Sequence, residues 1–473
     1  MTFTPILTNS LRHIARDLAD GSLSATDLLA HATARHDPAL NAYVTWTPDL
    51  ALRQAQAADA DADAARASGL SLGGLHGVPV SVKDLYGVTR LPTFAGTPRA
   101  LPEIWTAEGP ILQSLRRQSA VILGKTHTVE FAFGGLGTSR HHPVPWNPRD
   151  RATHRAPGGS SSGAGVSVAE GTALVALGTD TGGSVRIPAS LTGTVGLKTT
   201  LGRWSTAGIV PLSPSFDTPG ILTRSADDAA FAFEQLDSAR VPDLPADMAL
   251  RIGVAEPFFW QDCAPGIAER VTEALTLFQT TSHATLTGTT LTETALPGVA
   301  EVYGIYHQGG IVSAELFAFL NGSLPDWLNT LDPRVRRRMD DGSALEAWRY
   351  LHRKARYAEL AVQAAGVFDT CDVIVSPTVA LTPPPIALLD DDATYNRLNL
   401  LVLRNTCVVS FLGLCAVTIP AGLDAAGMPV GLQLIGAPGS EPRLLAIARL
   451  FENTLARAGV WPPPGWHPPR WTN

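Results

Sequence analysis

Between Pro157 and Thr200 the chain reads PGGSSSGAGVSVAEGTALVALGTDTGGSVRIPASLTGTVGLKTT. Small residues dominate this run and charges are few. Glycine permits close backbone approach and unusual φ/ψ values, and serines among glycines bring hydroxyl groups and backbone N–H donors together. A flexible linker would have a similar composition. However, the apolar stretch Val166 to Leu177 lies inside the run, and linkers do not bury such segments. The segment therefore has to sit in the interior of a fold that tolerates backbone packed closely on backbone.

The rest of the chain can supply that interior. It has 473 residues, 45% of them hydrophobic, so a large core is available. Net charge is −7, which leaves no basic footprint for nucleic acid. Lys plus Arg is 36, but only four are lysines: Lys83, Lys125, Lys198 and Lys354. Arginine replaces lysine on a solvated surface. It cannot replace it where an amine must lose its proton, because guanidinium stays charged. The four cysteines, Cys263, Cys371, Cys407 and Cys415, form no CxxC, so neither a zinc knuckle nor a dense disulfide framework is expected. Met1 to His13 lacks a charged region followed by an apolar one. The uncharged run Asn405 to Leu423 contains polar residues, proline and glycine, and reads as buried strand or loop, not a membrane span. A cytoplasmic protein without membrane contact is the expectation.

Along the chain, Leu11, Ile14, Ala15 and Leu18 follow a helical period that stops at Gly21. Ser24 with Asp27 predicts the cap of a second helix, and Leu50 to Ala67 a third. Gly77 to Asp84 reads as a short strand ending on charge, and Ala120 to Gly124 as another. His141 to Gly163 reads as loop, Val166 to Leu177 as a buried helix, and Ser184 to Leu197 as irregular. Residues 225 to 370 read as helices with polar inserts. Phe368 to Val379, Cys407 to Pro420 and Gly431 to Ile435 read as buried strands, and Glu441 to Ala458 as a helix. The tail, Trp461 to Trp471, holds five prolines and predicts an extended segment. Interleaved strands and helices predict one α/β domain, with a mixed, largely parallel, twisted sheet covered by helices on both faces. Within it, 1–70 is a helical segment on the core and 71–224 holds the dense motifs. Residues 225–365 form a further region of helices with polar inserts, and 366–473 supply core strands, a helix and the Pro-rich tail.

Generic motifs fail. Gly159 to Gly163 matches G-x-S-x-G, but the charged, proline-containing stretch before it is not the strand a nucleophile elbow needs. Gly124-Lys125-Thr126 lacks the earlier glycine of a P-loop, and Gly135-Leu136-Gly137 lacks the third glycine of a dinucleotide fingerprint. His141 and His142 are adjacent, without metal-ligand spacing.

The run GGSSSG, followed by GTDTGGSVRIPA with 24 residues from Ser160 to Ser184, resembles the signature of the amidase signature family. GVPVSVKD upstream is similar to that family's lysine motif. GKTHTVEFAFG, WNPRD, GLKTT, DTPGILTRS, DVIVSPT and GMPVGLQLIG resemble other family stretches in the expected order. The likeness runs from residue 73 to about 455 and is weak between 225 and 365, which the resemblance implies is a variable substrate-pocket region where family members usually differ. Two departures stand out: Ser162 where the family usually has glycine, and Leu414-Cys415-Ala416 where it has Leu-Pro-Ala.

The resemblance implies the amidase signature fold and a Ser–cisSer–Lys triad. By position, Ser184 is the nucleophile, Ser160 the cis-serine relay and Lys83 the base. A serine hydroxyl needs a base to take its proton, and burial can keep a lysine neutral. The backbone around Thr181, Gly182 and Gly183 would form the oxyanion hole, with no metal or cofactor. Ser161 would hydrogen-bond the lysine amine. Asp180 and Arg186 would pair to hold the loop, and Asp84 would be a loop-holding acceptor. Lys198 reads as a structural anchor, Lys125 as capping or pairing near a strand end, Lys354 as a solvated helix residue, and Cys415 as a small buried hydrophobe. Phe131, Phe133, Gly134 and Gly135 fall where the resemblance places a substrate wall, with the two phenylalanines equally readable as core. Tyr303, Tyr306 and Trp327 are further pocket candidates. The implied activity is hydrolysis of a small-molecule carboxylic amide, with aryl esters and carbamates (urethanes) as additional substrates, by a monomer or homodimer. The alternative is the glutaminase-type subunit of a tRNA-dependent amidotransferase. A binding protein without catalysis fits poorly, because all three triad positions are intact.

Overall fold

A computed structural model describes residues 9–245, 248–280 and 289–462. Its frame is an eleven-stranded sheet. The strands are β1 (Tyr43–Trp46), β2 (Pro79–Lys83), β3 (Val121–Thr126), β4 (Val175–Asp180), β5 (Val195–Lys198), β6 (Thr218–Thr223), β7 (Arg251–Ala255), β8 (Thr290–Thr294), β9 (Val373–Pro377), β10 (Cys415–Leu423) and β11 (Pro429–Gly436). They lie in the order β1-β3-β2-β4-β6-β5-β10-β11-β9-β7-β8. Helices flank the sheet, so the α/β architecture with a mixed sheet holds. The sheet is not largely parallel, however. β3-β2, β2-β4, β9-β7 and β7-β8 pair parallel, while the six other neighbours pair antiparallel. A short connection accounts for one of these pairs. β10 and β11 join through a tight turn, which returns the chain antiparallel.

The first helix spans Leu11–Asp20 and ends on Gly21 in the left-handed region, as its period predicts. Ser24 caps the next, Ala25–Thr33, by accepting from the Asp27 N–H. Pro48–Ser68 is the third. The N-terminal segment is not wholly helical: Tyr43–Trp46 is the strand at one sheet edge.

Three other readings change. Val166 to Leu177 is not one helix. Helix Ser162–Glu170 closes at Gly171, and β4 begins at Val175. Ser184 to Leu197 is not irregular. It forms helix Arg186–Thr192 and then β5. Cys407 lies in helix Asp392–Phe411, and the strand after it starts only at Cys415. All are continuously buried runs, in which periodicity cannot separate helix from strand. Residues 225 to 370 also contain β7 and β8 besides their helices. The proline-rich tail beyond Pro462 lies outside the described residues. Among the described residues no helix is long and apolar enough to cross a membrane.

β2 and β4 are adjacent and parallel, with Val82 opposite Leu177, so their C-terminal ends come together. Side chains alternate along β2. Ser81 and Lys83 share one face, and Ser81 Oγ lies 2.9 Å from Ser167 Oγ of helix Ser162–Glu170. That helix is buried at all nine positions. Its glycines admit neighbouring backbone: a Cβ on Gly163 would stand 2.1 Å from the Ala42 carbonyl oxygen and 2.5 Å from the His127 nitrogen. Alanine ordinarily favours a helix over glycine by about 1 kcal/mol. Here Gly163→Ala is expected to lower stability by about 1–3 kcal/mol through overpacking, read as a fall in urea midpoint. An unchanged or raised midpoint would contradict the packing described.

Candidate active site

Lys83, the last residue of β2, is fully buried. Its amine donates to Ser160 Oγ at 2.7 Å and to Thr179 Oγ1 at 2.8 Å. Ser160 precedes helix Ser162–Glu170, and its peptide bond with Gly159 is cis. Thr179 belongs to β4, the parallel neighbour of β2. The Ser161 N–H donates to the Ser184 carbonyl at 3.2 Å, which ties the two serine motifs together. Ser184 is 4% exposed and lines a narrow pocket. Burial pushes the Lys83 amine down to about 7, against the opposing pull of Asp180 and Asp217.

Ser161 does not bond the amine. Its hydroxyl donates to the Thr179 carbonyl and accepts the Thr179 N–H, both at 3.3 Å. Thr179 takes the expected place: β4 runs parallel beside β2, and at the strand ends the threonine Oγ1 comes within 2.8 Å of the amine. Its position directly before Asp180, at the end of a strand beside the lysine strand, is the signal that could have found it.

The turn Thr181-Gly182-Gly183 is held from several sides. Asp180 Oδ1 accepts the Gly183 N–H at 2.7 Å, so that N–H already has a partner and is not free for an oxyanion as expected. Asp180 Oδ2 accepts the Val185 N–H at 3.2 Å. Arg186 grips both carboxylate oxygens, Nη2 to Oδ1 at 2.9 Å and Nε to Oδ2 at 3.0 Å. It also donates to Gln433 Oε1, the Thr406 carbonyl and Ser410 Oγ. Burial alone would raise the Asp180 carboxyl. Arg186 and the N–H donors more than offset this and hold it at about 2. Gly183 has φ 131°, and a Cβ there would meet Thr406 Oγ1 at 2.1 Å, so only glycine fits. Thr406 Oγ1 donates to the Gly182 carbonyl at 2.7 Å, and Thr181 Oγ1 to Asp217 Oδ1 at 2.6 Å.

The other lysines are structural. Lys125 forms a buried pair with Asp84 at 2.8 Å, and Asp84 Oδ2 also accepts the Phe94 and Ala95 N–H groups. Lys198 donates to the Thr199 and Leu414 carbonyls, both at 2.9 Å. Lys354 is exposed. Ser162, which departs from the family glycine, places Oγ 2.6 Å from His127 Nδ1, so the extra hydroxyl has a partner. Burial pushes the Cys415 thiol up to about 12, as suits a small buried hydrophobe.

The pocket beside Ser184 is lined by Phe133, Gly134, Thr181 and Gly182, with Tyr306, Arg338 and Phe411 opposite. Gly135 lies behind it, its N–H donating to Asn399 Oδ1. Phe131 is core. Of the variable-region aromatics only Tyr306 lines this pocket. Tyr303 packs on Phe258 and His307, and Trp327 lies under the Arg99 guanidinium. Arg338 sits over the Phe133 ring at 3.9 Å and donates to the Phe133 carbonyl at 2.8 Å. Within the run RVRRR nothing in the sequence singles it out from its neighbours.

The Amidase family model matches residues 24–445. A 2-amino-5-chloromuconic acid deaminase of Comamonas testosteroni is 47% identical over 441 residues, covering 92% of this chain and 93% of the relative. A glutamyl-tRNA(Gln) amidotransferase subunit of Geobacter sp. strain M21 is 32% identical, covering 91% and 93%. The crystal structure of an amidase superposes with a TM-score of 0.81 at 30% identity, covering 94% of this chain and 99% of the other.

Removing one partner of a buried pair leaves an uncompensated charge, which costs about 3–5 kcal/mol. Arg186→Met is expected to destabilise the protein by that amount in equilibrium urea unfolding. A loss below about 1 kcal/mol, the range of an exposed pair, would refute the role given to Arg186.

Proposed function

The chain belongs to the amidase family, hydrolases that act on amides, and on that premise we propose that it is a serine amidohydrolase working through a Ser184 acyl-enzyme. Ser184 Oγ attacks the amide carbonyl while its proton passes to Ser160 Oγ and the Ser160 proton to the neutral Lys83 amine. The C–N bond then breaks as the same relay returns a proton to the leaving nitrogen. Water, deprotonated along the same path, releases the acid. The observation that carries this reading is the buried Lys83 amine, 2.7 Å from Ser160 Oγ and held near neutrality by desolvation.

The oxyanion would be held by backbone N–H groups of the Thr181–Ser184 turn other than that of Gly183. Loss of one such donor costs on the order of 10²–10³ in rate in comparable enzymes. Aryl esters and carbamates are additional substrates, since they give the same type of acyl-enzyme.

The pocket also suggests a substrate class. Arg338 is the one cation among the residues lining the Ser184 pocket, and most of its other lining is apolar. Among the described residues no carboxylate lies within 4 Å of it. A guanidinium so placed suits a carboxylate on the substrate, through paired N–H donors. The Comamonas relative is named for an amino-substituted muconic acid, a carboxylate-bearing compound that loses its nitrogen. That agrees with a small anionic substrate here. The glutaminase-type reading has the support of a more distant relative and of no feature specific to this site.

The neutral lysine is the active form, so activity rises with pH. kcat/KM is expected to climb through an apparent pKa of about 7 and to fall away below it. Lys83→Arg keeps the charge but cannot accept a proton, and a loss of about 10³-fold or more in kcat is expected. Near-normal turnover by that variant would refute the mechanism. Ser184→Ala should abolish covalent labelling by a sulfonyl fluoride, checked by intact mass. Arg338→Met should raise KM for carboxylate-bearing amides more than for neutral ones. Equal changes for both classes would remove the anion-binding role.

A further inference from the structure

Asp217 is a buried carboxylate that the mechanism above does not use. It lies just before β6 and is 9% exposed. Among the described residues no Lys, Arg or His comes within 4 Å of it. Three donors converge on it instead. Thr181 Oγ1 donates to Oδ1 at 2.6 Å, and the Leu212 and Ser213 N–H groups donate to Oδ2, each at 2.9 Å. A buried carboxylate without a counter-ion is costly unless its lone pairs are filled. This one is filled only by joining two separate pieces of chain, the turn before Ser184 and the segment from Leu212 to Asp217.

That segment borders two cavities. One is the narrow pocket of Ser184, lined in part by Leu212 and Ala132. The other is a cleft of about 490 Å³, lined by Leu212 and Ala132 again and by Thr179, Asp217 and Thr218. Thr179 is the second hydroxyl partner of the Lys83 amine. Leu212 thus borders one cavity beside the nucleophile and another beside a hydroxyl partner of the base, and Asp217 fastens the segment that carries it.

We propose that Asp217 is a positioning residue of the hydrolytic site, holding Thr181, and with it the backbone turn that faces the developing oxyanion, against the segment from Leu212 to Asp217. This rests on the reading of Ser184 as nucleophile. A carboxylate does what an amide cannot: one oxygen takes two backbone N–H groups while the other takes a hydroxyl. An asparagine can take the two N–H groups on its oxygen, but its NH₂ must then donate to Thr181, so that hydroxyl has to turn and accept and the charge-assisted bond is lost. The charge has a second effect. Lys83 is faced by two carboxylates, Asp180 at the end of β4 and Asp217. Asp180 is compensated by Arg186. Asp217 has no such pair among the described residues; besides Lys83 it is near Glu315, which is occupied by the hydroxyls of Ser213, Ser215 and Tyr350, with Lys354 4.0 Å away. The uncompensated charge of Asp217 thus favours the ammonium form of Lys83.

The test compares four purified full-length proteins, wild type, Asp217→Asn, Thr181→Val and Ser184→Ala, on one amide that the wild type turns over. Asp217→Asn is expected to lower kcat by about 10²-fold or more, with KM changed much less. It should also move the acid limb of kcat/KM to lower pH, by about half a pH unit or more, because a charge favouring the protonated lysine is gone. Thr181→Val breaks only the Thr181 bond. It should lower kcat without moving the limb. Wild-type kcat in either variant, or an unmoved limb in Asp217→Asn, overturns the proposal, since a purely structural role would not touch the limb. Should Asp217→Asn not fold, wild-type kcat in Thr181→Val overturns it alone. Residual turnover by Ser184→Ala would instead overturn the nucleophile assignment, a distinct failure.

Discussion

At the end of β4 a carboxylate and a guanidinium meet without access to solvent. The Asp180–Arg186 pair is the constraint on which the site depends. Asp180 collects the N–H groups of Gly183 and Val185, while Arg186 reaches the Gln433 side chain and helix Asp392–Phe411. The turn carrying Ser184 is thereby fastened to the strand before it and to elements more than 200 residues later. Desolvation makes such a pair a poor source of stability relative to apolar packing. Its value lies in geometry, since a fork of N–H donors matched to two oxygens fixes orientation as well as distance.

The same low-dielectric interior acts in opposite senses on neighbouring groups. It withdraws hydration from the Lys83 amine, which has no carboxylate in direct contact, and so lowers its proton affinity toward neutrality. It leaves Asp180 ionised, because Arg186 touches it. Lys125 has a carboxylate at 2.8 Å and Lys198 two carbonyls at 2.9 Å. Three buried lysines thus have three different sets of partners, and only that of Lys83 consists of two hydroxyl groups. One of these belongs to the serine that follows the cis peptide.

Much of this was legible in the chain. The two serine motifs, the lysine strand and the Asp180–Arg186 pair follow from residue types and spacing together with the family resemblance. What was not legible has a common physical origin. Fully buried segments lose the amphipathic signal, so Val166 to Leu177 and Asn405 to Leu423 each concealed a change from helix to strand. Contacts distant in sequence leave no local trace. Thr179 replaces Ser161 beside the amine because β4, far away in the chain, lies next to β2. Arg338 reaches the pocket because helix Pro333–Ser343 happens to present that one of several arginines. Gly183, expected to offer its N–H to substrate, gives it to Asp180.

The sequence by itself determined the chemistry that is possible. A lysine where arginine would not serve, serines embedded in glycine, and a run too apolar for a linker are properties of composition and order. Only the tertiary structure decided how that chemistry is tuned. Burial sets the protonation of Lys83. The pairing of β4 beside β2 supplies its second hydroxyl partner, and Asp217 joins the Leu212–Asp217 segment to the turn before Ser184. These depend on dielectric surroundings and on through-space distance, which exist only once segments far apart in the chain are packed together.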